Sequence, residues 1–115
     1  MQDTNTKPAV RKVTVLGAGA WGTAVAMALA LRHDVMLWGR NAAVQAEMAG
    51  ARENRAYLPG HAFPAGLQVA TDFDAALAHV AEPGSLLIAA SPVAGLRPLL
   101  EQLKGRTIPN VVWLC

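Results

Sequence analysis

Three glycines spaced as Gly17-Ala-Gly19-Ala-Trp-Gly22 are suited to one kind of chemistry, the approach of a polyanion to bare backbone. Gly17 permits a tight turn, and Gly19 removes the side chain that would block a diphosphate. Gly22 lets the following helix lie against the preceding strand. A helix starting at this turn presents unpaired N–H groups and partial positive charge to the anion, with Ala20 and Trp21 at its tip. The G-x-G-x-x-G pattern alone is a weak signal, and a glycine turn without a ligand is the plainer reading. Here, however, it follows Lys12 to Gly17 (KVTVLG), a β-branched run closed by glycine, and opens Ala20 to Leu31, an alanine-rich run apolar on nearly every side. That strand–turn–helix context is the one a dinucleotide fingerprint requires. Trp21 stands between the second and third glycines, where its large flat ring either packs as core or lines the groove.

A second candidate group follows the next apolar run, Asp34 to Gly39 (DVMLWG). Folds that select NAD usually place an acid at the end of the second strand to hold the ribose 2′-hydroxyl. The stretch Leu37-Trp38-Gly39-Arg40-Asn41 has none. The planar charged fork of Arg40 suits the 2′-phosphate of NADPH instead, a solvated arginine being the alternative. NADPH is the expected cofactor, with NADH also admitted. Tyr57 is either a loop anchor or part of a cofactor or substrate pocket. His33, His61 and His79 are expected at the surface or in a solvated loop, and Lys104 and Arg106 in a surface turn.

The elements that must position these residues fit one domain. The chain has 115 residues, 53% of them hydrophobic and 16% charged, with a formal charge of +2. That length allows one core and not two. The charge is small and evenly spread, which argues against a nucleic-acid partner. Residues 1–11 are polar, lack an apolar core segment and are expected to form a flexible N-terminal tail rather than a signal peptide. No apolar run approaches the ~20 residues that span a bilayer, so membrane insertion is not expected. The single cysteine, Cys115, leaves no internal disulfide and no cysteine-based zinc site, and no metal site is expected. A cytoplasmic protein is the resulting expectation.

Residues 12–115 alternate strand-like and helix-like segments. Asn41 is placed to cap a helix through about Ala49. Gly50 to Gly66, with two prolines, is expected to be a long loop. Leu67 to Thr71 forms a strand, Asp72 or Asp74 caps a helix through about Val80, and Ser85 to Ser91 (SLLIAAS) forms another strand. Pro98 suits the first turn of a helix, which places that helix at about Pro98 to Leu103 after an irregular lead-in. Asn110 to Cys115 (NVVWLC) begins a fifth strand. Continuous apolar strands alternating with helices imply an α/β fold with a parallel sheet covered on both faces. Right-handed crossovers make it a doubly wound, Rossmann-like sheet in the order 3-2-1-4-5. The switch point then falls between the first and fourth strands, where a ligand is expected.

Gly17-Ala-Gly-Ala-Trp-Gly-Thr-Ala24 resembles the glycine motif of the NAD(P)-dependent glycerol-3-phosphate dehydrogenases, in which the tryptophan is habitual. Asn54-Arg-Ala-Tyr57-Leu58-Pro59-Gly60 is similar to the N-x-x-Y-L-P-G segment of the same family. The spacing onward through Thr71-Asp72, Ser91-Pro92 and Trp113-Leu-Cys115 also fits, so the resemblance runs from Lys12 to the end of the chain. It implies an N-terminal Rossmann domain that holds NAD(P)H, with a helical domain completing the substrate site. The implied reaction is reversible hydride transfer between the nicotinamide and dihydroxyacetone phosphate, giving sn-glycerol 3-phosphate for phospholipid synthesis. Where the family usually reads Val-Pro-Ser, this chain has Ala90-Ser91-Pro92-Val93, so only a backbone contact to the cofactor near Pro92 carries over.

Protonating the ketone oxygen and binding the substrate phosphate require cationic and polar groups. The resemblance assigns these to lysines and polar residues beyond Cys115, so no catalytic residue is expected within the chain. A fragment inactive by itself is the expectation, with exposed apolar surface that favours self-association, a homodimer among the outcomes. Two other functions fit less of the sequence. A non-catalytic nicotinamide-nucleotide-binding regulatory module leaves the Asn54–Gly60 match unexplained. A related two-domain dehydrogenase acting on another hydroxy acid leaves Trp21 and the Tyr57–Gly60 stretch unexplained.

Overall fold

The computed structural model describes residues 9–70, 72–90, 93–106, 108 and 110–114. Strand β1 (Lys12–Leu16) leads into helix α1 (Ala20–Leu29), followed by β2 (Asp34–Trp38) and α2 (Ala42–Ala51). A hairpin, β3 (Glu53–Asn54) and β4 (Leu58–Ala62), precedes β5 (Leu67–Val69) and α3 (Phe73–Ala78). The chain continues through β6 (Leu86–Ala89), α4 (Val93–Leu103) and β7 (Val111–Trp113). Five strands form one sheet in the order β5-β2-β1-β6-β7, and all four pairings are parallel. Because β5, β6 and β7 are the third, fourth and fifth strands expected from sequence, the order is the expected 3-2-1-4-5.

The period of two along a strand divides each apolar run between two cores. Val13 and Val15 of β1, Val35 and Leu37 of β2, and Ile88 of β6 pack on one face with Ala26 of α1, Ala30 at its C-cap and Met48 of α2. Leu16, Leu87 and Ala89 face the other side, against Ala76 and Leu77 of α3 and Leu99 of α4. Thr14 points to this second side and is fully buried, and its hydroxyl donates to the Ala76 carbonyl at 2.7 Å. That bond satisfies a polar atom that would otherwise destabilise the core and fastens α3 across β1.

The helix caps follow their side chains. Asn41 Oδ1 accepts from the N–H groups of Ala43 and Val44, at 3.0 and 3.1 Å. Asp72 Oδ1 accepts from Ala75 N–H at 2.7 Å, which settles the choice between Asp72 and Asp74. Asp74 instead pairs with Arg106 at 2.8 Å. Helix α2 ends at Arg52, which adopts the left-handed conformation with φ 56°.

Three sequence expectations need correction. The 50–66 segment is not a plain loop: α2 extends through Ala51, and β3 and β4 pair antiparallel with a register shift at Glu53/Asn54. Pro98 lies inside α4 and does not open it. A proline at that position has no N–H for the carbonyl four residues earlier, and its ring lies on the exposed side of the helix, clear of the core. Leu99 and Leu103, four residues apart, hold the opposite side against the sheet. His79 is not a surface residue either. Its side chain is only 7% exposed, and its Nε2 lies 2.9 Å from the Asp34 carbonyl at the start of β2. Among the described residues no helix is long and apolar enough to cross a membrane.

Candidate functional site

The C-terminal ends of β1, β2 and β6 surround a groove of about 540 Å³. Its floor is the turn from β1 to α1, which backbone bonds hold in place. Gly17 N–H donates to the Trp38 carbonyl at 2.7 Å, and Ala90 N–H donates to the Leu16 carbonyl at 2.8 Å. The groove therefore lies where the strand order reverses, between β1 and β6, as open α/β sheets place their ligands.

The first and third glycines answer to the protein. Gly17 has φ 118°, a conformation that side chains rarely adopt. A Cβ at Gly22 would fall 1.8 Å from the Gly17 carbonyl oxygen and 3.3 Å from the Ala90 methyl, so the helix approaches the strand only because that atom is missing. Gly19 is different. Its φ of −74° is open to any residue, and a Cβ built there meets nothing within 4 Å. Nothing in the described protein requires glycine at this position. The open space beside it is the groove, which a side chain would begin to fill.

Gly19 is also the N-cap of α1 and has no side chain with which to bond the helix N–H groups. Thr23 N–H is the first to turn back, donating to the Gly19 carbonyl at 3.0 Å. The N–H groups of Ala20, Trp21 and Gly22 belong to the first turn, which has no intrahelical acceptors. With no acid in that turn, the helix dipole is uncompensated there. Among the described residues lining the groove, Arg40 is the one charged side chain, and no carboxylate opposes an anion. This combination fits the diphosphate of a dinucleotide.

Gly17, Gly19, Ala20, Trp21, Gly22, Arg40 and Tyr57 all line this one groove, although they come from three separate parts of the sequence. Trp21 is 62% exposed, so the choice between core and groove falls to the groove. Tyr57 is 55% exposed, and Arg40 is exposed where β2 ends. Trp38 lines the groove from β2 and packs edge-on against Phe73 at 4.9 Å. Pro92 lies outside the described residues. His33 is half-buried, with Nδ1 accepting from Arg11 N–H at 3.1 Å, and His61 is exposed on β4.

Two buried amides support the site that residue types alone did not single out. Gln45 Oε1 accepts from Gly39 N–H at 3.0 Å, and its Nε2 donates to the Ala70 carbonyl at 3.1 Å, which ties the ends of β2 and β5 to α2. Asn54 bonds to both the glycine turn and the hairpin. A signal for Asn54 was present in the sequence, since it opens the Asn54–Gly60 motif. Gln45 gave none, because an amide in mid-helix looks like a solvated residue.

The parallel order, the glycine turn and the groove at the switch point define the class as a doubly wound, Rossmann-type α/β domain. Residues 12–115 match the family model described as the N-terminus of NAD-dependent glycerol-3-phosphate dehydrogenase, and the chain belongs to that family. It is 61% identical over 104 residues to a glycerol-3-phosphate dehydrogenase [NAD(P)+] of Paucimonas lemoignei, covering 90% of this chain and 31% of that protein. A protein of the same name from Herminiimonas arsenicoxydans is 60% identical over 103 residues, with the same two coverages. Among solved structures, glycerol-3-phosphate dehydrogenase from Coxiella burnetii superposes with a TM-score of 0.81 at 28% identity, covering 90% of this chain and 32% of that one. The chain thus spans about a third of the length of the curated relatives it matches.

Proposed function

We propose that this chain holds the nicotinamide dinucleotide for an enzyme that reduces dihydroxyacetone phosphate to sn-glycerol 3-phosphate for phospholipid synthesis. The observation that carries the reading is the tip of α1. Its N–H groups have no side-chain cap, and they open onto a groove beside a glycine that the fold itself does not require. The similar proteins from Paucimonas and Herminiimonas, named as NAD(P)+-dependent, support the same cofactor class.

In this reading the backbone of Gly17, Gly19, Ala20 and Gly22 holds the diphosphate, and Trp21 and Tyr57 line the groove and shield it from water. A backbone contact near Pro92 completes the cofactor side. Arg40 binds the 2′-phosphate and gives NADPH the advantage over NADH, since no acid stands at the end of β2 to repel it. When bound, the nicotinamide supplies the hydride. The groups that polarise the ketone and bind the substrate phosphate belong to lysines beyond Cys115, as the family resemblance implies. In this reading the enzyme works in the cytoplasm, and a homodimer is among the assemblies open to it.

The test uses the chain extended to the length of its relatives: titration with NADPH and with NADH, followed by tryptophan fluorescence, together with an assay of dihydroxyacetone phosphate reduction. Saturable quenching, tighter for NADPH, and turnover are expected, and Arg40→Ala should remove most of the NADPH advantage. Binding without turnover would overturn the dehydrogenase reading in favour of a regulatory module. No response to either nucleotide would overturn the cofactor assignment as well.

A further inference from the structure

We propose that Asn54, which does not line the groove, is a positioning residue that aims the glycine turn at the nucleotide; this rests on the nucleotide reading above. Asn54 sits in β3 with no exposed surface. Its Nδ2 donates to the Ala18 carbonyl at 2.9 Å and to the Thr23 hydroxyl at 2.8 Å. Its Oδ1 accepts from Tyr57 N–H at 3.1 Å. One carboxamide therefore holds the turn, the first turn of α1 and the hairpin.

The Ala18 bond has a consequence for the groove. In a trans peptide the carbonyl and the following N–H point in opposite directions. Holding the Ala18 carbonyl inward, on Asn54, directs the Gly19 N–H outward. A Gly-Ala-Gly stretch has little else to fix that peptide plane, because glycine restricts its backbone least. Thr23 is fully buried, and its hydroxyl receives the second proton of the same amide, so the helix tip is fixed relative to the turn. The third bond sets the backbone of Tyr57, whose side chain lines the groove.

Only asparagine fits this pattern at this length. Aspartate keeps the acceptor for Tyr57 N–H but has no donor for Ala18 or Thr23, and leucine has neither. Preorganised N–H groups bind an anion more tightly than mobile ones because less ordering remains to be done on binding.

Two measurements on the full-length chain test the inference: the Kd for NADPH, and amide hydrogen exchange without nucleotide. Asn54→Asp is expected to weaken NADPH binding about tenfold or more, as the loss of two buried hydrogen bonds implies. Exchange should quicken at residues 17–23 and stay slow in β1 and β2. Thr23→Val should shift both readouts the same way by a smaller factor, and Thr23→Ser, which keeps the acceptor, should restore them. If Asn54→Asp does not fold, the Thr23 pair decides: a shift in valine that serine abolishes supports the clamp, and two variants alike overturn it. Exchange that quickens uniformly over the sheet would overturn it too, since that marks a merely structural residue. If the unmodified chain fails to bind NADPH, the cofactor reading falls, and the exchange pattern at 17–23 still decides whether Asn54 orders the turn.

Discussion

Strand β1 buries four of its five residues, whereas β4 leaves four of its five exposed. The two regions are held by different forces. The sheet rests on apolar side chains packed on both faces, a non-directional attraction spread over many contacts. The hairpin rests on a few directional bonds. Gly60 N–H donates to Glu53 Oε2 at 2.8 Å, Phe63 N–H donates to the Arg52 carbonyl at 2.7 Å, and Arg52 Nη2 donates to the Pro64 carbonyl at 2.9 Å. Asn54 adds the bonds that join the hairpin to the turn. The sheet thus supplies stability, and the hairpin supplies a wall whose position depends on single residues.

That contrast predicts unequal responses to substitution. Leu37→Ala removes a side chain that is fully buried on β2, between β5 and β1, and should cost about 2–5 kcal/mol, read as a lower midpoint in urea denaturation. Unfolding should remain a single transition, because both cores share the same strands. Glu53→Ala removes one exposed bond to Gly60 and should cost less than about 1 kcal/mol. Its signature is local, with faster amide exchange near Gly60 and an unchanged sheet. Equal losses from the two substitutions would remove the distinction between the regions.

The same contrast explains what the sequence revealed. KVTVL, DVMLW and LLIA are apolar runs with few alternatives in a chain of this length, and their alternation with helices, joined by right-handed crossovers, leaves few topologies, of which 3-2-1-4-5 is a common one. LPGHA carries a proline and a glycine and buries almost nothing, so no periodicity distinguishes β4 from a loop. Its pairing rests on short-range bonds within the hairpin, to the Glu53 side chain and the β3 backbone, which no hydrophobic pattern signals. Pro98 misled for a related reason. The rule that proline opens a helix assumes that a lost N–H matters, and on an exposed face it matters little. His79 was misplaced because a helix end that turns back onto a strand can bury a polar ring when a carbonyl such as that of Asp34 receives it.

The candidate site divides along the same line. The glycine turn was legible from its spacing between a strand and a helix, and Arg40 became a candidate through the acid missing beside it. The decision that Trp21 faces the groove needed three dimensions. The role of Asn54 needed the hairpin folded back on the turn.

The central claim is that Gly19 is glycine for the sake of a ligand and not for the fold. Gly19→Val tests it most directly, with stability and NADPH affinity measured on the same full-length protein. Because the backbone at Gly19 suits any residue and a Cβ there meets nothing within 4 Å, the melting temperature should fall only by the small cost of valine in place of glycine at a helix N-cap. The Kd for NADPH should rise at least about tenfold, since the new methyls occupy the place of the diphosphate. A stable Gly19→Val protein that binds NADPH as tightly as the unsubstituted chain would contradict the account.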